Sequence, residues 1–167
     1  MAKNETFDVT TGVDLMEVEN AVNQAVKEIG QRYDFKGANP VIDLRKADNL
    51  ILLEGPDPMH LNAMWEVLLG KLVRRKVPVK NCQRGDLQKA GGDRVRQEIK
   101  LISGLDIEIS RKLVKALKDA KFKKAQAAIE GDKVRVSGPS RDELQAVIQF
   151  LKEQDFGVEL QFGNYRS

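Results

Sequence analysis

The chain has 167 residues, 41% of them hydrophobic and 32% charged, with a formal net charge of +3, a balance that excludes a disordered or collagen-like chain. One cysteine, Cys82, excludes an internal disulfide framework and fits a reducing compartment, and no Cys/His cluster suggests a metal site. No apolar run approaches the roughly 20 residues needed to cross a bilayer, and Met1–Asp8 lacks the apolar segment of a secretory signal, so a cytoplasmic protein with no membrane partner is expected.

Thr6–Thr10 puts Phe7 and Val9 on one face and predicts a short strand. Asp14 then caps a helix, with Glu17 at the capping-box position and Leu15, Val18, Val22, Ala25, Val26 and Ile29 forming an apolar stripe. Val41–Leu44 and Leu50–Leu53 predict a hairpin turning at Ala47-Asp48-Asn49. Pro56 and Pro58 stop the second strand and suit the start of the next helix, about Met59 to Arg75, the most apolar in the chain. A short strand follows near Lys80–Gln83, then a loose segment with Gly85, Gly91 and Gly92.

Val95, Gln97, Ile99 and Leu101 alternate with Arg94, Arg96, Glu98 and Lys100, predicting a strand with one mostly apolar and one charged face. Ser103-Gly104 ends it, and Ile107, Leu113, Val114, Leu117 and Ala120 line a helix whose lysines face water. Lys124–Ile129 and Lys133–Val136 predict a hairpin through Glu130-Gly131-Asp132. Ser140, with Glu143 three residues on, caps the last helix, Gly157 ends it, and Val158–Phe162 supplies a final strand.

One pattern occurs twice. Gly55-Pro56 and Gly138-Pro139 lie 83 residues apart, whereas Gly12-Val13-Asp14-Leu15 and Gly104-Leu105-Asp106-Ile107 lie 92 apart. The nine-residue difference implies a duplication with an insertion in the first copy, near Gln31–Asn39. The fold class is α+β: tandem ferredoxin-like, RRM-like β-α-β-β-α-β modules, residues 1–91 and 92–167, each too small to be more than marginal alone. The long strand at Val95–Leu101 follows a flexible segment, so exchange of first strands between the modules stays open.

Candidate function follows from cations and aromatics. The sheet face opposite the helices is expected to carry Arg94, Arg96, Lys100, Lys124, Gln126, Lys133 and Arg135, which can hold phosphates. The expected insertion supplies Arg32-Tyr33-Asp34-Phe35-Lys36-Gly37, where Tyr33 or Phe35 can stack on a base and Arg32 or Lys36 can meet a phosphate. The alternative for Phe35 is a core anchor. Ten basic against three acidic residues between Lys71 and Lys100 give a local charge of +7. There Lys71, Arg74, Arg75, Lys76, Lys80 and Arg84 are candidates for RNA backbone contact, or else a solvated connection. Strands Leu50–Leu53 and Val134–Val136 lack the aromatics that stack bases in RNA-binding domains of this topology. Tyr165 and Arg166 form a third, weaker candidate near the C-terminus.

Catalysis has little support. His60 is the only histidine and is expected on a helix beside the apolar stripe, as a surface or boundary residue rather than a base; Cys82 has Lys80 and Arg84 nearby, which can lower a thiol pKa, but no histidine partner. No P-loop or dinucleotide fingerprint occurs. No catalytic residue, metal or cofactor is expected.

Taken together, Phe7-Asp8-Val9, the Arg32–Gly37 run, Gly131–Gly138, Ser140–Val147 and Phe162-Gly163-Asn164-Tyr165-Arg166 resemble the YajQ family of small bacterial cytoplasmic proteins over essentially the whole chain. The resemblance implies two RNA-binding-domain-like modules and nucleotide binding without catalysis. Cyclic di-GMP, purine nucleotides or tRNA are the implied ligands, and a transcription regulator is an implied partner.

Overall fold

The computed structural model describes residues 4–167; Met1–Lys3, the start of the segment read as lacking a signal, lie outside the described residues. In chain order the elements are β1 (Glu5–Thr10), α1 (Leu15–Gln31), β2 (Val41–Arg45), β3 (Leu50–Gly55), α2 (Pro58–Arg74), β4 (Cys82–Arg84), β5 (Gln88–Ala90), β6 (Arg94–Leu101), α3 (Ile107–Asp119), β7 (Gln126–Glu130), β8 (Lys133–Gly138), α4 (Arg141–Lys152) and β9 (Gln161–Arg166). They form two units, Val13–Ile102 and Met1–Gly12 with Ser103–Ser167. Among the described residues no helix is long and apolar enough to cross a membrane.

In the 13–102 unit the antiparallel sheet has the order β2-β3-β6-β4, with β5 also paired to β6. Strand alternation puts Ile51, Leu53, Ile99 and Leu101 on the face covered by α1 and α2, against Val18, Val22, Leu61, Leu68 and Leu72. Ile99 and Leu101 are almost fully buried, each contributing about 1.5–3 kcal/mol by apolar burial. The opposite face carries Asp43, Arg45, Leu50, Leu52 and Glu54 beside Arg96, Glu98 and Lys100.

The other unit is an antiparallel sheet of order β7-β8-β1-β9, with α3 and α4 on one face. Phe7 and Val9 pair with Val136 and Val134, and all four are fully buried with Leu113, Leu144, Val147 and Leu151 close to it. The two antiparallel sheets and four helices are consistent with tandem ferredoxin-like modules.

The units do not follow the expected division at residues 91 and 92. Each sheet has two interior strands, β3 and β6 in the 13–102 unit and β8 and β1 in the other, where β1 comes from the far end of the chain. The reason is complementarity along both edges: β6 pairs with β3 through six residues and with β4 through three, while β1 pairs with β8 through five. The expected single row of cations is therefore split, with Arg94, Arg96 and Lys100 in one unit and Lys133 and Arg135 in the other. Lys124 precedes β7 rather than lying in it.

The repeated Gly-Pro pairs have a steric cause. A Cβ on Gly55 would meet Met64 Sδ at 3.3 Å, and one on Gly138 would meet Leu144 Cδ2 at 3.1 Å, so both glycines let the following helix approach the strand end. Local readings differ in detail. Asp14 accepts from the Met16 amide, but Glu17 bonds Asn20 and Arg75 instead of closing a capping box. Helix α4 stops at Lys152, well before Gly157, and the final strand starts at Gln161 rather than Val158. Helix α1 has 17 residues against 13 in α3, which accounts for part of the expected insertion.

On the helix-free face of β1 and β8 sits a carboxylate, Asp8, only 4% exposed. It accepts from Arg135 Nε at 3.0 Å, Lys133 Nζ at 3.3 Å and Asn164 Nδ2 at 2.7 Å. Burial alone would raise its pKa, but these three donors outweigh it and hold the carboxyl at about 2. The resulting stabilisation is complete above the unfolded carboxylate range and disappears as pH falls through the folded value. Asp8→Asn is expected to lose on the order of 2 kcal/mol at neutral pH. Urea denaturation at pH 7 and pH 3 checks this: the gap between wild type and variant should narrow at the lower pH.

Candidate functional site

A cleft of about 380 Å³ lies where α1 ends, lined by Gly30, Arg32, Tyr33, Phe35, Lys36 and Pro40 among others. It brings together the four residues that the sequence marks in the Arg32–Gly37 run. Helix α1 ends because Arg32 turns to extended backbone, its N–H bonding Ile29 O, and Tyr33–Phe35 then forms one 3-10 turn. The turn is closed by hydrogen bonds from Phe35 N to Arg32 O, Lys36 N to Tyr33 O and Ala38 N to Phe35 O.

The four side chains have different fates. Phe35 is 4% exposed and joins the hydrophobic core, meeting His60 edge-on at 5.3 Å, so it is the anchor rather than a free stacking face. Tyr33 is 88% exposed and leaves its ring open to solvent. The Arg32 guanidinium forks onto Asp34 at 3.0 and 2.7 Å and lies 5.4 Å over the Phe35 ring. Lys36 is exposed and forms no ion pair among the described residues.

Two tethers hold this turn. From α2, His60 Nε2 lies 3.0 Å from the Asp34 carbonyl oxygen. From β6, Arg94 donates to Ala38 O at 2.9 Å, to Asn39 O, and to Glu54 Oε2 at 3.1 Å. Arg94, expected to bind phosphate from the sheet, thus spends its fork on the loop beside the cleft. The helix end itself offers carbonyl acceptors and the negative end of the peptide dipole. Lys36 is the exposed cation lining this cleft.

Other expected cations are divided. Arg96 is exposed and donates to Gln88, and Lys100 is exposed with no ion pair among the described residues. Arg135 and Lys133 are held by Asp8, and Arg135 also meets Glu130 at 3.3 Å. In the basic segment, Lys71 pairs with Glu28 at 2.9 Å, Arg75 with Glu17 at 3.3 Å, and Arg84 donates to Gln97 and Asn62 while lying 5.4 Å over Trp65. Arg74, Lys76 and Lys80 are exposed. Near the C-terminus, Tyr165 and Arg166 line a cleft of about 290 Å³ with Arg141 and Gln145, but Arg166 Nε donates to Asn164 and Glu5 stands 3.9 Å from Arg141.

Apart from Lys124, sequence reasoning did not single out a role for the cations of α3 and the turn after it. Arg111, Lys112, Lys115, Lys118, Lys121, Lys123 and Lys124 are all exposed, and none is in an ion pair among the described residues. Seven bases against one acid, Asp119, over residues 111–124 were the available signal.

Nothing in these geometries assembles a nucleophile with a base. Cys82 is buried, and burial pushes its thiol up to about 11, opposite to the lowering its basic neighbours suggested. No group of three or more His, Cys, Asp or Glu side chains among the described residues could hold a metal.

The sequence pattern of the family described as nucleotide-binding protein YajQ-like matches residues 5–166. A nucleotide-binding protein of Carboxydothermus hydrogenoformans is 46% identical over 166 residues, covering 99% of this chain and 100% of its own. One of Alkaliphilus oremlandii is 45% identical over 166 residues with the same coverage, and one of Solibacter usitatus 44% over 164 residues, 98% of each chain. The chain belongs to the YajQ family.

The Arg94 fork predicts a stability effect separate from ligand contact. Arg94→Ala is expected to cost about 2 kcal/mol, since it removes charge-assisted bonds to two carbonyls and a carboxylate. Arg94→Lys should restore little, because a single ammonium cannot span all three acceptors. Thermal denaturation of both variants checks it, with both melting well below wild type.

Proposed function

We propose that this chain is a non-catalytic, cytoplasmic nucleotide-binding protein that senses cyclic di-GMP or a purine nucleotide at the cleft lined by Arg32, Tyr33 and Lys36, as a sensor or as an adaptor to a transcription regulator. The observation that carries the reading is the convergence of an exposed aromatic, a cation with no ion pair among the described residues and helix-end acceptors around one cleft. In this reading Tyr33 stacks on the base and Lys36 meets a phosphate. The carbonyl end of α1 accepts from N–H groups on a purine edge, which suits guanine or adenine better than an acceptor-rich ring. The volume, about 380 Å³, is near the lower end for small-ligand sites and fits one nucleotide unit. A cyclic dinucleotide would seat one base there and leave the other outside; Arg96 and Lys100 of the same unit remain separate candidates for a phosphate.

Calorimetry against cyclic di-GMP, GTP and ATP tests the site. Tyr33→Ala is expected to weaken binding about tenfold through lost stacking, and Lys36→Ala several-fold at low salt. Unchanged affinity in both variants, in a protein that still binds, moves the site elsewhere. Phe35→Ala should instead lower stability by about 3 kcal/mol.

A second reading, tRNA or structured-RNA binding, is favoured by a different observation: the exposed cations of residues 111–124. The Lys71–Arg84 segment supports it less, because Lys71, Arg75 and Arg84 are engaged within the unit. RNA binding should fall steeply as salt rises, and replacing Lys112, Lys115 and Lys118 by glutamine should lower the slope of log affinity against log salt by about two to three. A shallow slope that the triple substitution leaves unaltered rejects this reading.

A further inference from the structure

Both ring nitrogens of His60 face acceptors. Nδ1 lies 2.9 Å from each carboxylate oxygen of Asp57, and Nε2 lies 3.0 Å from the carbonyl oxygen of Asp34. A neutral imidazole has one N–H and can donate to only one of them, leaving a lone pair opposed to the other acceptor. The imidazolium donates to both. Asp57 is itself fixed as the N-cap of α2, accepting the His60 amide at 2.8 Å, while Asp34 belongs to the 3-10 turn that lines the cleft.

We infer that His60 is a positioning residue of the cleft: as an imidazolium it ties the Arg32–Lys36 turn to α2, and on losing its proton it releases that turn. The part of this inference that concerns ligand affinity rests on the nucleotide reading above; the tie itself does not. The charged groups around the ring are few. From the strand-to-helix connection comes Asp57, and from the turn comes Asp34, whose carboxylate is held by Arg32. The uncharged Phe35 ring packs against the imidazole edge-on. Only 22% of the His60 side chain is exposed, so the tie is partly shielded from water.

The hydrogen bond to Asp57 raises the imidazole pKa above its ordinary value; burial works against this and the Asp34 carbonyl adds to it. The tie is therefore complete below the unfolded histidine value of about 6.5 and is lost as pH rises through the higher folded value. The amides that report the turn are those of Phe35, Lys36 and Ala38, bonded at 3.2, 3.1 and 3.0 Å to carbonyls within it.

Because the chain has one histidine, its ring resonances are unambiguous, and the full chain can be titrated by NMR from about pH 5.5 to about pH 8.5 alongside amide exchange. The histidine is expected to titrate above free imidazole. After correction for intrinsic exchange, protection of the three turn amides should fall about threefold to tenfold in step with it, while β6 amides stay constant. His60→Phe, which keeps the packing on Phe35 but removes both donors, should show the low protection at every pH; if it fails to fold, the wild-type titration decides alone. Protection that stays flat across the histidine titration overturns the tie, as does a histidine titrating at or below the free value.

Cyclic di-GMP is the probe for the cleft, since its phosphodiesters do not titrate in this range, and GTP is a second probe. Affinity for cyclic di-GMP should fall with rising pH by a similar factor. Constant affinity while protection changes rejects the positioning role. A protection change with no binding of either nucleotide leaves the tie standing and defeats the nucleotide reading.

Discussion

An interior strand must be hydrogen-bonded along both edges, and in each sheet of this chain one interior strand is flanked by strands that are not next to it in the sequence. Strand β1 lies between β8 and β9, more than 120 residues away in sequence, and β6 lies between β3 and β4. The 13–102 segment can therefore be inserted into the other unit only if it leaves and returns at neighbouring points. The hydrogen bond of 2.9 Å from Gly104 N to Thr11 O, and the close approach of Gly12 to Ser103, meet that condition. Pairing of such distant strands pays loop-closure entropy before it gains packing, so the β1 sheet is the part expected to assemble late.

The same topology decides what the cations do. A count along the sequence treats each arginine or lysine as available, but carboxylates from distant segments reach many of them. Glu54 takes Arg94 across 40 residues, Glu28 takes Lys71 across 43, and Asp8 takes Arg135 across 127. These pairs fix loops and sheet faces. Among the described residues, Lys36, Lys100 and the exposed cations of α3 form no ion pair.

The cleft at the end of α1 is shaped by a small turn. Its shape depends on a core aromatic, Phe35, and on two polar tethers from different elements, His60 on α2 and Arg94 on β6. Each tether ends on a backbone carbonyl, so side-chain identity in the turn is free to serve contact with a ligand. Tyr33 and Lys36 keep that freedom; Arg32, forked onto Asp34, keeps part of it.

Much of the fold was legible in the chain itself. Apolar spacing marked all four helices, Asp14 and Ser140 marked two of their starts, and alternation marked both hairpins, because each of these depends on neighbours a few residues away. The Arg32–Lys36 run was also visible, as an aromatic and basic cluster in a chain poor in aromatics. Only the tertiary structure decided that Phe35 turns inward, that Cys82 is buried, that Arg94 holds a loop, and that β6 joins the sheet of β3. Local pattern tells which face of an element avoids water; which segment arrives at a strand edge, and which carboxylate arrives at a cation, is settled by packing across the whole unit.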